Sequence, residues 1–136
     1  MPPVLSFTVA GSGPPVVILH GLFGSAVNWR RIADALCHRW QVFSPDLPNH
    51  GDSPWTDDMS YPAQAKVLAS FISDHVPDNP IIIGHSMGGK VAMALALEGG
   101  TPLAGLVVVD IAPVTYPHSH RTLVESMNAL DLTAVH

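Results

Sequence analysis

Residues 81–100 read IIIGHSMGGKVAMALALEGG, and they constrain the fold more than any other stretch of the chain. The run Ile81–Ile83 contains no polar residue, which is typical of a strand buried on both faces. The alanine-rich stretch Met87–Leu97 predicts a helix that stops at the glycines following it. Ser86 lies between the two, among glycines. A strand, a glycine-rich turn and a helix in this order either activate a serine hydroxyl or bind phosphate.

The rest of the chain alternates between strands and helices in the same way. Strands are predicted at Val4–Val9, Val16–Leu19, Gln41–Ser44, Ile81–Ile83 and Leu103–Val109. Helices are predicted at Asn28–His38, Ser60–Val76 and Met87–Leu97. This order predicts an α/β fold, in which helices flank a mostly parallel sheet.

The composition indicates a globular domain and the kinds of partner that it is not expected to bind. Hydrophobic residues make up 47% of the chain and charged residues 12%, which is typical of a globular domain with a core. The net charge is −5 and no run of Lys or Arg occurs, so we expect neither a nucleic-acid nor a membrane surface. The start MPPVLSFTVAGSG has no features of a signal peptide. Together with the single cysteine, Cys37, which cannot form an internal disulfide, this predicts a cytoplasmic location.

The segment Gly84–Gly88 matches the pattern G-x-S-x-G in the context that this pattern requires, after a strand and before a helix. In such a turn, called a nucleophile elbow, the serine adopts a strained backbone conformation and the glycines avoid a clash with a Cβ. The turn raises the hydroxyl above the sheet, where the N-terminal amides of the helix face any oxyanion that forms. The pattern therefore predicts a nucleophilic Ser86.

Acyl transfer also requires two backbone N–H donors aimed at the tetrahedral oxygen, the oxyanion hole. One is predicted at Met87, the residue after the nucleophile. The second is predicted in the loop that follows Val16–Leu19, at Leu22 or alternatively at Phe23. His20, at the end of that strand, is interpreted as a buried residue that holds the loop by hydrogen bonds and not as a general base.

Two predicted strands end in an aspartate, at Asp46 and at Asp110. Active sites of open α/β sheets lie at the carboxyl ends of the strands. Asp46 precedes a turn rich in Pro and Gly, which favours a role in organising that loop. Asp110 ends the strand that follows the helix after Ser86, and a right-handed crossover places that strand beside the strand of Ser86. Asp110 is therefore the predicted carboxylate that orients a histidine.

The phosphate interpretation aligns Gly84, Gly89 and Lys90 as G-x-x-x-x-G-K, with LVVVD as the second strand of a nucleotide site. A P-loop needs Ser or Thr at the next position to hold Mg²⁺, and the chain has Val91 there. A P-loop-like nucleotide binder is therefore kept only as a remote alternative. A dinucleotide site is less favoured still, since GSGPP has prolines where a helix would open.

The segments HGLFGS, NHGDSP, GHSMGGKVAMALAL and VVVDIAPVTY, in this order, resemble the α/β-hydrolase superfamily, and most of all its small YbfF-type, abhydrolase-domain-11-like esterase branch. The resemblance implies Ser86 as nucleophile, Asp110 in the segment DIAP as acid, and Leu22 and Met87 as oxyanion donors. It implies a serine esterase that hydrolyses short or medium acyl esters or thioesters through an acyl-enzyme. Neither a cofactor nor a metal is expected.

In that family the catalytic histidine lies on a loop near the end of a longer chain, beyond a helical lid and further strands. The resemblance therefore implies a hydrolase core over residues 1–110, truncated after the strand ending at Asp110, with residues 111–136 starting the lid. His118 and His120 are weak candidates for a substitute base. Three interpretations remain open: a fragment of an esterase that is inactive as it stands, a non-catalytic binding or interaction module, and half of a hydrolase completed by another chain. The apolar run Leu106–Val109 would form an open sheet edge, which predicts self-association.

Overall fold

The computed structural model describes residues 2–111, which form one five-stranded sheet flanked by helices. The strands are β1 (Phe7–Ala10), β2 (Pro15–Leu19), β3 (Gln41–Pro45), β4 (Ile81–His85) and β5 (Gly105–Val109). The helices are α1 (Arg30–Leu36), preceded by a 3-10 helix over Ala26–Trp29, α2 (Tyr61–His75) and α3 (Met87–Glu98). The strand order is β1-β3-β2-β4-β5. Neighbouring strands are parallel except for the antiparallel pair β1 and β3. The predicted α/β class with a mostly parallel sheet is confirmed.

The core lies on both faces of the sheet because β2 is central and buried throughout. Its side chains alternate between the two faces, as the strand period of two requires. Val17 and Leu19 pack in the cluster that contains the buried residues of α2 and α3, whereas Val16 and Ile18 pack on the α1 side. This explains why the run Val16–Leu19 shows no polar alternation in the sequence.

Most predicted boundaries hold to within two residues, and the largest differences occur at the first strand and the first helix. The first strand begins at Phe7 and not at Val4. The predicted helix Asn28–His38 is a 3-10 turn followed by a shorter α-helix that ends at Leu36. Ser25 and Asn28 form a reciprocal capping box around the 3-10 turn, which starts the helical region earlier than the apolar pattern indicates.

The sheet register brings three chain positions to one edge. The parallel strands β2, β4 and β5 are paired along their length, with Leu19 beside Gly84 and His85 beside Val109. Because their carboxyl ends meet at the same edge, the residues that follow them, His20, Ser86 and Asp110, lie close together. The predicted neighbourhood of the strands ending before Ser86 and Asp110 is confirmed.

At the side of β5 away from β4, the structure records no partner strand among residues 2–111. Leu106 and Val107 of this strand are 38% and 47% exposed. The open, apolar edge expected from the sequence is therefore present in the described part of the chain.

Candidate active site

Ser86 occupies a one-residue turn between β4, which ends at His85, and α3, which begins at Met87. Its backbone angles, φ 53° and ψ −116°, lie in a region that residues with a Cβ rarely adopt. The Ser86 N–H donates to the carbonyl oxygen of Val109 at 3.1 Å, which ties the turn to β5. The hydroxyl makes no capping hydrogen bond to α3. The strained conformation expected of Ser86 is thus present, with its side chain half-buried.

Two glycines let α3 approach the sheet closely at this turn. A Cβ on Gly84 would lie 2.6 Å from the carbonyl oxygen of Gly88. A Cβ on Gly88 would lie 2.5 Å from the carbonyl oxygen of His20 and 2.6 Å from that of Leu19. Any residue other than glycine at position 88 would therefore push the first turn of α3 away from the end of β2. This contact sets where the Met87 N–H lies relative to the loop after β2.

That loop begins with a hydrogen-bonded turn over residues 21–24, closed by the Gly24 N–H donating to the Gly21 carbonyl oxygen at 3.0 Å. Phe23, its third residue, has φ 63°, which identifies a type II turn. The Phe23 N–H donates to Nε2 of His50 at 3.1 Å. Within residues 2–111 no acceptor is recorded for the Leu22 N–H. Of the two alternatives predicted from the sequence, Leu22 is the one whose N–H has no partner in the described part of the protein.

His20 lies beneath this turn and is 1% exposed. Its Nε2 accepts the Leu47 N–H at 2.9 Å and its Nδ1 donates to the Gly21 carbonyl oxygen at 2.8 Å. Desolvation by burial lowers the pKa of His20 below 6.5, although the hydrogen bond to the Gly21 carbonyl oxygen acts in the opposite direction. Since both ring nitrogens are engaged with the backbone, His20 holds the loop and does not face a substrate. The interpretation of His20 as a scaffold residue is confirmed.

Asp46 organises the loop after β3, as the sequence indicates. Its Oδ1 accepts the Ala26 N–H at 2.8 Å and its Oδ2 accepts the Asp52 N–H at 3.0 Å. The side chain is buried, and Gly51 packs against it so closely that a Cβ there would lie 2.2 Å from Oδ2. Both carboxylate oxygens are therefore occupied by the backbone.

Asp110, in contrast, presents its side chain to solvent, where it is 86% exposed. Its backbone has φ 60° at the point where the chain leaves β5. Its Oδ2 lies 3.9 Å from Nε2 of His85, an ion-pair distance that is too long for a hydrogen bond. The carboxylate is available to orient a further group, which the buried Asp46 is not.

Two clefts open on either side of the turn over residues 21–24. The first, of about 420 Å³, is lined by Gly21, Leu22, Phe23, Gly24, Asn28, Trp29 and His85. The second, of about 400 Å³, is lined by Leu22, Phe23, Gly24, Asn49, His50, Gly51, Trp55 and Met59. Sequence reasoning missed the aromatic walls, Trp29 in the first and the 83% exposed Trp55 in the second. In the sequence, only the position of Trp55 next to the turn-rich segment after β3 could have indicated that it lines a cleft.

The predicted site residues Ser86, Met87, Leu22 and Asp110 all lie at the carboxyl edge of the sheet. His118 and His120 lie outside the described residues. His85, the last residue of β4 and the neighbour of Ser86, packs its ring against that of Trp29 at a centroid distance of 5.5 Å. None of the helices in the described part of the chain has the length and apolar character that crossing a membrane requires.

Comparisons with known proteins agree with this geometry. A family model described as alpha/beta hydrolase fold matches residues 14–134. The sn-1-specific diacylglycerol lipase ABHD11 of Mus musculus is 42% identical over 123 residues, which cover 88% of this chain and 40% of the mouse protein. Esterase YbfF of Escherichia coli K12 is 39% identical over 117 residues, which cover 85% of this chain and 46% of that esterase.

Among solved structures, one described as a marine microorganism esterase superposes with a TM-score of 0.87 at 42% identity. The match covers 93% of this chain and 51% of that esterase. The chain thus spans about half the length, or less, of the proteins that it resembles.

Proposed function

Since the chain belongs to the α/β-hydrolase family, we propose that it carries the nucleophile, oxyanion hole and acid of a serine esterase. The observation that carries this proposal is the strained backbone of Ser86, φ 53° and ψ −116°, at the start of α3 and beside the end of β5. A turn that costs conformational energy persists when the surrounding structure enforces it, and such turns cluster at active sites. The name nucleophile elbow fits this turn.

In the proposed reaction, the Ser86 hydroxyl attacks the carbonyl carbon of an ester while its proton passes to a base. The carbonyl oxygen becomes an oxyanion, which the N–H groups of Leu22 and Met87 stabilise. The tetrahedral species then collapses, and the departing alcohol or thiol takes the proton from the base. Water hydrolyses the resulting acyl-Ser86 by the same steps in reverse. Asp110 orients the base, a histidine outside the described residues.

The substrate class follows from the relatives, which are named as a lipase and esterases. We propose a small-molecule ester or thioester with a short or medium acyl chain, bound in the clefts beside Leu22 and Phe23. Neither a cofactor nor a metal takes part in the proposed steps. The cytoplasmic location remains a prediction from the sequence.

The remote alternative, a P-loop-like nucleotide binder, is wrong. A P-loop spans the residues from Gly84 to Lys90 as an extended phosphate-binding loop, whereas here β4 continues to His85 and α3 starts at Met87.

A second candidate function, half of a hydrolase that is completed by another chain, is supported by one observation. The 86% exposed Asp110 carboxylate suits a hydrolase half that another chain or fragment completes with the histidine. A binding module without catalysis is the outcome expected if Ser86 is unreactive.

Covalent labelling with a fluorophosphonate probe tests the proposed function. A site that lacks one member of the triad still accelerates the reaction about 10³–10⁴-fold over water, through the oxyanion hole and substrate binding. We therefore expect measurable modification of Ser86 in the 136-residue chain, at a rate that rises with added imidazole as an external base. Peptide mass spectrometry identifies the modified residue.

Ser86→Ala should abolish the labelling, and Ser73→Ala, at an exposed serine on α2, should leave it unchanged. Failure of folded protein to label at Ser86, at any imidazole concentration, would contradict the proposed nucleophile and leave a binding module as the better explanation.

A further inference from the structure

We propose that His50 is a positioning residue of the oxyanion hole, which selects Leu22 as a donor by holding the N–H of Phe23 away from the site. The inference rests on the proposed function and goes beyond it, because His50 lies on the loop after β3, and its contacts in the described part of the protein involve neither Ser86 nor Asp110. It is supported by contacts between the loops after β2 and β3, in which Phe23 and His50 are 27 residues apart in the chain.

The hydrogen bonds of His50 define its protonation state. Nδ1 faces the carbonyl oxygen of Pro48 at 2.9 Å, and a carbonyl oxygen can only accept. Nε2 faces the N–H of Phe23 at 3.1 Å, and an amide can only donate. The ring is therefore neutral, with its proton on Nδ1 and a lone pair on Nε2. His50 is buried, with its ring 5.0 Å from that of His20, so that few other orientations are open to it.

The turn over residues 21–24 needs this acceptor because Phe23 occupies a position that favours glycine. The third residue of a type II turn has positive φ, and a bulky side chain is disfavoured there. A type I turn over the same residues would return Phe23 to negative φ by rotating the peptide between Leu22 and Phe23. That rotation would carry the Phe23 N–H away from Nε2 of His50. The hydrogen bond therefore opposes the relaxation that the side chain of Phe23 favours.

The consequence for the site is that the turn has one conformation. With Phe23 engaged by His50, its N–H cannot compete for an oxyanion, and Leu22 is left as the donor of this loop. Without the acceptor, the peptide between Leu22 and Phe23 would exchange between two orientations, and the Leu22 carbonyl oxygen and the Phe23 N–H, which lie next to the Leu22 N–H in the chain, would have their native positions for only part of the time. A hydrogen bond of ordinary strength corresponds to about a tenfold change in such an equilibrium.

Nuclear magnetic resonance of the 136-residue chain tests the contact directly. We expect a ¹⁵N shift typical of an unprotonated Nε2 at His50, a scalar coupling across the hydrogen bond from Phe23 to that nitrogen, and a strong NOE between the Leu22 α-proton and the Phe23 amide proton. A protonated Nε2, or the weak NOE of a type I turn, would overturn the inference without any variant being made.

Fluorophosphonate labelling of Ser86 then tests the role. His50→Leu should lower the maximal rate of labelling by up to about tenfold, with little change in the probe concentration that gives half of that rate. His50→Gln, whose side-chain oxygen can accept from Phe23, should recover most of the rate. His38→Leu, at an exposed histidine after α1, is the matched control and should label like the parent chain.

The outcomes separate the two proposals. If the parent chain labels and His50→Leu, shown to be folded by its amide spectrum, labels equally fast, the positioning role is wrong and the proposed function stands. If the parent chain does not label at Ser86, the proposed function fails, and with it the role of His50 in catalysis. Equal losses in His50→Leu and His50→Gln would also count against the role, because the acceptor would not be what matters.

Discussion

Gly88→Ala is a substitution whose effect on the free energy of unfolding can be worked out from the structure. The new Cβ would lie 2.5 Å from the His20 carbonyl oxygen, 2.6 Å from the Leu19 carbonyl oxygen and 2.7 Å from the Leu19 Cβ. Two of these three neighbours are backbone atoms of the central strand region, so they cannot rotate away. Overpacking of this kind costs about 1–3 kcal/mol, and here we expect the upper end of that range. The higher helix propensity of alanine offsets part of this cost, by about 1 kcal/mol.

The net prediction is a loss of about 2 kcal/mol in the free energy of unfolding. For a chain of 136 residues, with an unfolding entropy of about 2.1 cal/mol/K per residue, this corresponds to a fall of about 7 °C in Tm. Urea and thermal unfolding followed by tryptophan fluorescence would measure both. Gly105→Ala is the matched control, because its Cβ would be no closer than 3.5 Å to a side-chain atom of Ile81. Equal stability of Gly88→Ala and the parent, or an equal loss in Gly105→Ala, would refute the close approach of α3 to β2.

Three further predictions concern other parts of the described structure. Asp46→Asn should destabilise the fold by about 1–3 kcal/mol, because the side-chain amide has one oxygen and cannot accept both backbone N–H groups. Asp110→Asn should change the stability by less than about 0.5 kcal/mol, because that side chain is exposed. Urea titrations that rank the two variants the other way would contradict these roles. Because burial lowers the pKa of His20, with the hydrogen bond to the Gly21 carbonyl oxygen opposing, stability should fall as the pH drops below 6.5, by at most about 1.4 kcal/mol per pH unit for this one proton. Replacing His20 by Gln should flatten that part of the urea-derived profile, and an unchanged slope would disprove the assignment. Val107→Lys, at the open edge of β5, should reduce self-association in size-exclusion chromatography, and an unaltered profile would show that this edge is not the contact.

The pattern of strands and helices could be predicted because buried positions are apolar and recur with the spacing of a strand or a helix. The all-apolar run Val16–Leu19 indicated a strand covered on both faces, and β2 is such a strand. The placement of Asp110 beside Ser86 could also be predicted, because a right-handed crossover puts the strand after a helix next to the strand before it. The two roles that required only local chemistry, the scaffold His20 and the loop-organising Asp46, followed from their turns.

Contacts between loops could not be predicted in the same way. The bond from Phe23 to His50 joins segments that are distant in the chain, and neither the positive φ of Phe23 nor the tautomer of His50 leaves a periodic signal. The choice between Leu22 and Phe23 as donor depends on this bond, and it therefore stayed open at the level of sequence. The approach of His85 to Asp110 likewise depends on the strand register and on the φ of 60° at Asp110.

The central claim, that Ser86 attacks acyl groups, is tested most directly by trapping its acyl-enzyme. An activated ester such as p-nitrophenyl butyrate expels a leaving group that needs little protonation, so acylation depends least on the histidine. Deacylation requires a base to activate water, so the adduct should accumulate. We predict that peptide mass spectrometry of the folded 136-residue chain finds a butyryl group on Ser86, and that Ser86→Ala shows none. A chain that remains unmodified at Ser86, or an adduct pattern that Ser86→Ala leaves unchanged, would contradict the claim.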